Sequence, residues 1–203
     1  MAIKLAIVYY SSTGTNYALA LAAQEAAAAQ GAEVRLVRVA ETAPSGALDS
    51  NPAWKAHHEA TINVPVATLG DLDWADAILF GTPTRFGGGA SQLRHFLDST
   101  GGLWAQGKLT NKVVSAYTSA QNAHGGQEAT ILSLYTTFYH WGAIVVAPGY
   151  TDPILFKTGG NPYGTSATVD QQGRFDPVVL EAVKVQTKRI VDIADQLNKG
   201  QQA

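Results

Sequence analysis

The stretch "AIKLAIVYYSSTGTN" most constrains what this chain can become. Residues 2–10 are a nearly unbroken apolar run with β-branched and aromatic side chains, which reads as a strand buried on both faces. Residues 11–16 carry hydroxyls and an amide around one glycine, with no charge. "TNYALALAAQEAAAAQ" (15–30) follows with high helix propensity and stops at Gly31. A strand of this kind must be covered above and below. It therefore commits the chain to a parallel sheet with helices on both faces.

The same alternation continues along the chain. Strands are expected at 33–39, 76–81, 112–119 and 142–149. Helices are expected at 91–99, with Leu93, Phe96 and Leu97 on one face, and at 127–140, with Ile131, Leu134, Tyr135 and Phe138. Asp176-Pro177 is a good helix start, and Val179, Val183, Ile190, Ile193 and Leu197 then share a face. No repeat or linker composition divides residues 1–203, so a single α/β domain with a doubly wound five-stranded sheet is expected; if its order is 2-1-3-4-5, strands one and three flank the switch point. Two stretches, 41–71 and 149–175, read as long loops of the kind used for function or assembly.

Composition removes several classes of function. A net charge of −2 gives no electrostatic case for nucleic acid or an acidic membrane surface. The absence of cysteine rules out disulfides, thiolate metal sites and thiol redox chemistry, and is compatible with a cytoplasmic location. No run is long and apolar enough to span a bilayer, and the polar residues 11–16 interrupt any signal-peptide core.

In an open doubly wound sheet, ligands bind outside the carboxyl ends of the strands, at the switch point. Three loops leave those ends: "SSTGTN" (11–16), "GTPTRFGGG" (81–89) and "TSAQNAHGGQE" (118–128). The first opens a helix, whose free N–H groups and dipole hold an anion without a lysine. Ser11, Ser12, Thr13, Thr15 and Asn16 add polar side chains, and Gly14 lets the backbone approach closely. A terminal monophosphate suits this loop. A Walker A loop would need lysine, and the G-x-G-x-x-G fingerprint is absent. In the second loop Pro83 fixes the turn, Arg85 offers positive charge beside a ring that becomes anionic on reduction, and Gly87 to Gly89 let backbone lie along a flat ring. In the third, His124 is a general-acid candidate, weighed against a plain solvated histidine.

"GTPTRFG", "FLDSTGGLW", "GGQEATILSLYTTFYHWG" and "GGNPYGTSA" together resemble, in order and over nearly the whole chain, the WrbA family of NAD(P)H:quinone oxidoreductases. The resemblance implies a flavodoxin-like fold that binds FMN, with NADH or NADPH as co-substrate and a quinone as electron acceptor. It implies that Ser11, Ser12, Thr13, Gly14, Thr15 and Asn16 hold the FMN phosphate. Pro83, Thr84, Arg85, Phe86 and Gly87 would line the flavin from the second loop. Ser119, Ala120, Gln121, Asn122, Ala123, His124 and Gly125 would embrace it from the third. His140 would reach the FMN site of a neighbouring subunit in a homotetramer. Trp104 would stand beside the substrate pocket, and Thr13 takes a position where relatives often place an aromatic against the nicotinamide. Because the flavin carries the chemistry, no protein nucleophile is expected, and one cavity serving both substrates implies ping-pong turnover. Two other readings share the pocket. One is a flavodoxin-type electron carrier, disfavoured by the near balance of 16 acids and 14 bases. The other is a regulatory flavin-binding protein. Trp54, Trp104 and Tyr163 are aromatics suited to a subunit interface.

Overall fold

The structure is a computed structural model and describes residues 1–200. Its elements run β1 (Lys4–Tyr9), α1 (Thr15–Ala29), β2 (Glu33–Arg38), α2 (Ser45–Asp49), α3 (Pro52–Ala60), α4 (Leu69–Trp74), β3 (Ala77–Arg85) and β4 (Gly88–Gly89). They continue through α5 (Ser91–Asp98), α6 (Gly101–Ala105), β5 (Val113–Ala120), α7 (Gln127–His140), β6 (Ile144–Val145), α8 (Ile154–Lys157), β7 (Ser166–Thr168) and α9 (Val178–Gly200). The parallel strands lie in the order β2-β1-β3-β5-β6, which is the expected 2-1-3-4-5 with the short β4 counted separately.

β1 shows why its run had to be apolar throughout. Leu5, Ile7 and Tyr9 face α1 and α9, packing with Leu19, Ala23, Val183 and Ile190. Ala6, Val8 and Tyr10 face the other way, into a cluster with Leu93, Leu97, Ile131, Leu134 and Phe138 from α5 and α7. Each such fully buried aliphatic or aromatic side chain contributes about 1.5–3 kcal/mol. α9 starts as expected, with the Asp176 carboxylate accepting the Val178 N–H at 3.0 Å.

Five expectations are corrected. The third strand does not stop at Gly81. It runs on through Pro83 to Arg85, then turns back antiparallel as β4, pairing Thr84 with Gly89 and Arg85 with Gly88. The supposed loop 81–89 is thus a hairpin, tipped by Phe86 (φ 50) and Gly87 (φ 78). Two consecutive positive φ values make the reversal that suits the twist of the flanking strands. The strand expected at 142–149 shortens to Ile144–Val145, and Pro148-Gly149 lead the chain away. β7 takes over beside the upper half of β5, pairing Ser119 with Ala167, so residues 149–175 carry a helix and a strand rather than a bare loop. The segment 41–71 likewise holds α2, α3 and the start of α4. α3 begins with Asn51, whose side chain accepts the Trp54 N–H, and Pro52 in the first turn. Trp54 is half-buried against the core rather than an exposed interface aromatic.

Candidate functional site

The parallel register brings the three polar loops to one edge of the sheet. Tyr9 pairs with Gly81, and Pro83 with Ser119, so the chain leaves β1, β3 and β5 side by side. Each pair of loops is then tied by a specific contact. Arg85 Nη2 donates to Ser12 Oγ at 3.0 Å, joining the second loop to the first. Asn16 Nδ2 donates to Ser119 Oγ at 2.9 Å, a buried bond joining the first to the third. Gly87 and Gly126 join the second to the third, since a Cβ on Gly126 would lie 2.9 Å from Gly87 Cα. Gly126 also has φ 90, so only glycine fits that crossing without strain.

The first loop ends at Gly14, the N-cap of α1 (φ 105), which has no side chain to cap the helix. The start of a 15-residue helix is thereby left to an external acceptor. Ser11 Oγ accepts the Gly14 N–H at 3.1 Å and fixes the turn. Thr13 is exposed and Ser11 half-buried, whereas Ser12, Thr15 and Asn16 are buried. Asn16 spends its amide N–H on Ser119, and its backbone carbonyl accepts the Tyr117 hydroxyl at 3.0 Å. Asn16 therefore braces the loop. Its Oδ1 is buried without a partner among the described residues. A buried acceptor in that state is costly unless a donor arrives from outside the chain.

The second loop presents Pro83 and Thr84 buried on β3, with Thr84 Oγ1 2.9 Å from Thr118 Oγ1. Arg85 turns its guanidinium toward the first loop. Phe86 is fully solvent-exposed at 109%. A left-handed, exposed phenylalanine is a strained arrangement that surrounding structure must impose, and such strain gathers at binding sites. In the third loop Ser119 is buried and Ala120 and Gly125 half-buried, while Gln121, Asn122, Ala123 and His124 stand in solvent. Gln127 Nε2 donates to the Ala167 carbonyl and to Thr168 Oγ1, holding the loop's exit against β7. Residue types alone did not single out Gln127, because its partners come from a strand 40 residues away.

His140 and Trp104 do not join this cluster within one chain. α7 starts beside Gly87 and runs 14 residues, so His140 lies about 20 Å away, at the opposite edge of the sheet. There Trp104 Nε1 donates to the His140 carbonyl at 2.9 Å. The two border an open groove of about 610 Å³ with Arg94, Asp98 and Thr137. Trp104 is 57% exposed.

A polar residue outside all three loops closes the first-loop side. Glu41 accepts from Tyr10 Oη (2.9 Å), Trp54 Nε1 (3.1 Å) and Gln92 Nε2 (2.7 Å), and from the N–H groups of Thr42 and Ala43. Burial pushes its carboxyl up. Hydrogen bonds from Ala43, Gln92, Tyr10 and Trp54 outweigh that and hold it below its ordinary value. No group of metal-ligating side chains is present among the described residues, and no helix there is long and apolar enough to cross a membrane.

The arrangement suits a ligand with an anionic tail at α1 and a flat body between the hairpin and the third loop. Comparison with known proteins points the same way. The profile of the NADPH-dependent FMN reductase family matches residues 3–151. A NAD(P)H dehydrogenase (quinone) from Deinococcus radiodurans is 60% identical over 84% of this chain and 85% of its own. Another protein of that name, from Aromatoleum aromaticum, is 42% identical over 98% of this chain and all of its own. Among solved structures, a flavodoxin, WrbA-like protein from Agrobacterium tumefaciens superposes with a TM-score of 0.68 at 24% identity, covering 96% of this chain and 99% of that one. That likeness shows the shared flavodoxin-like fold.

Proposed function

We propose, from the premise that the chain belongs to the NADPH-dependent FMN reductase family, that it is an FMN-dependent NAD(P)H:quinone oxidoreductase. The observation that carries this is the pairwise tying of three polar loops at the switch point, around an uncapped helix start. FMN fits these residues. One terminal phosphate matches what N–H groups and hydroxyls can hold without lysine. The unpartnered Asn16 Oδ1 is an acceptor placed for a hydroxyl donor. When bound, the flavin supplies two-electron transfer from a nicotinamide to a quinone.

The chain's own residues bind and orient. Ser11 and Gly14 shape the phosphate turn, and Asn16 keeps it at a fixed distance from β5 through Ser119. Arg85, held on Ser12, adds positive charge beside the phosphate loop. The Phe86–Gly87 tip and residues 120–125 flank the space where a ring would lie. Thr13, exposed at the rim, stands where a co-substrate enters. Both substrates use one face in turn, which gives ping-pong kinetics.

The assembly is a homotetramer in this reading. His140 and Trp104 lie too far from their own loops to serve them, so they complete the site of a neighbouring copy. The supporting features are the 20 Å-scale separation, the open groove and the exposed Trp104. The test is a visible spectrum of the purified protein with FMN, taken before and after NADH and then after benzoquinone. Bleaching followed by recovery is expected. A protein that stays colourless after incubation with FMN would overturn the assignment.

A further inference from the structure

We infer that His57 is a binding residue for the phosphate at the start of α1, supplying as an imidazolium the positive charge that the loop itself lacks. The inference rests on the proposed FMN function and adds a residue that none of the three loops contains.

The geometry is specific. His57 sits on α3, and its Nδ1 lies 3.6 Å from where a Cβ on Gly14 would stand. Gly14 is the residue that opens α1, so the imidazole borders the helix N-terminus directly. His57 also lines a small cavity of about 20 Å³ with Ser11 and with Tyr9, whose buried hydroxyl has no partner among the described residues. Its ring packs against Tyr17, with centroids 5.7 Å apart.

α3 has no fully buried residue, and half-buried Trp54 packs it against the core. The same side chain ties α3 down through Nε1 on Glu41, the carboxylate that also gathers Tyr10 from the end of β1 and Gln92 from α5. Glu41 and Trp54 are thus positioning residues, and what they position is His57.

The charges around His57 explain why an anion is wanted there. Tyr9 at the end of β1, Tyr10 after it, Arg38 of β2, Glu41 and His58 line the same small cavity as His57, and Tyr17 of α1 packs on its ring. Burial lowers the His57 pKa, and the neighbouring His58 lowers it further, with no hydrogen bond acting in the other direction. Glu41 is the single acid in this group, and its oxygens already accept five donors. No acid is among the groups that shift His57, so a protonated His57 has no close carboxylate partner among the described residues. A phosphate seated at α1 provides a counter-charge, so phosphate binding and proton uptake at His57 favour each other.

The experiment measures FMN and riboflavin binding to apoprotein at pH 8 and pH 6, for wild type, H57Q and H57K. The phosphate's own titration near pH 6 is common to all three proteins and cancels in their ratios. H57Q is expected to weaken FMN about tenfold at pH 6 and markedly less at pH 8, with riboflavin unchanged. H57K, a permanent cation, is expected to match or exceed wild type at pH 8. In the wild-type protein, the His57 imidazole followed by NMR is expected to titrate at higher pH with FMN than without. Equal losses at both pH values, or equal losses for FMN and riboflavin, would overturn the inference and leave the flavin function standing. Wild-type protein that binds neither flavin overturns both.

Discussion

The two ends of α7 are built in opposite ways. At its start, Gly126 meets Gly87 backbone to backbone and Gln127 is bonded to β7. The loops around it are cross-linked by Asn16–Ser119 and Arg85–Ser12. At its end, His140 is exposed, Trp104 reaches it through one hydrogen bond, and an open groove lies beside them. The first end is set by bonds within the chain. The second leaves aromatic surface in solvent. Binding geometry that must be correct before a ligand arrives is fixed by short intrachain contacts. Surface left open at the other end suits completion by a second copy.

This contrast can be broken at several strengths. The largest effect is expected at the closed end. Gly126→Val places a side chain 2.9 Å from Gly87 Cα at φ 90. It should cost roughly 2–4 kcal/mol of stability and abolish FMN retention, read by thermal melting and by flavin absorbance after desalting. Next is Glu41→Gln. It weakens the carboxylate that receives Tyr10, Trp54 and Gln92, with an expected loss of about 1–3 kcal/mol at neutral pH. Glu41 also gives a pH signature. Its folded pKa lies below the ordinary 4.5. Its contribution is therefore fully present above that value and is lost as the pH falls through the folded one. The wild-type melting temperature should fall across that acid window, and the Gln variant should show a shallower fall.

A smaller change is expected for Arg85→Met. The guanidinium is exposed at its bond to Ser12, so FMN affinity should drop only about two- to fivefold, measured by fluorescence titration. At the open end, Trp104→Ala should leave FMN affinity in the isolated chain unchanged within about twofold, since Trp104 is about 20 Å from the loops. What it should change is the assembly, detected as a shift to smaller species in sedimentation. A large loss of FMN binding by the dissociated, monomeric species would erase the distinction between the two ends.

Much of this molecule was legible before folding. The apolar run of β1, the alanine-rich α1 and the periodic face of α7 each name their element from local pattern alone. Alternation of strands and helices points to a parallel sheet covered on both faces, and the order supposed for it is the one found. The convergence of loops after β1, β3 and β5 followed from that order. The segment 41–71 reads as a loop in the sequence, although Asn51-Pro52 is the same kind of helix start as Asp176-Pro177. α3 carries no apolar stripe, so periodicity had nothing to report. β3 was ended too early because Pro83 looks like a turn residue. It sits instead at the upper end of β3, level with Ser119 on β5.

By itself, then, the sequence determined the strands, the long helices and the chemistry of the first loop. Those follow from propensities and patterns carried by neighbouring residues. Only tertiary structure decided that Asn16 would brace Ser119, that Arg85 would turn to Ser12, and that α7 would carry His140 to the far edge of the sheet. Only tertiary structure brought His57 to Gly14. Those partners are separated by about 40 to 100 positions in the chain or by the length of a helix. Their meeting depends on strand order and register, which act over the whole sheet rather than within any window of sequence.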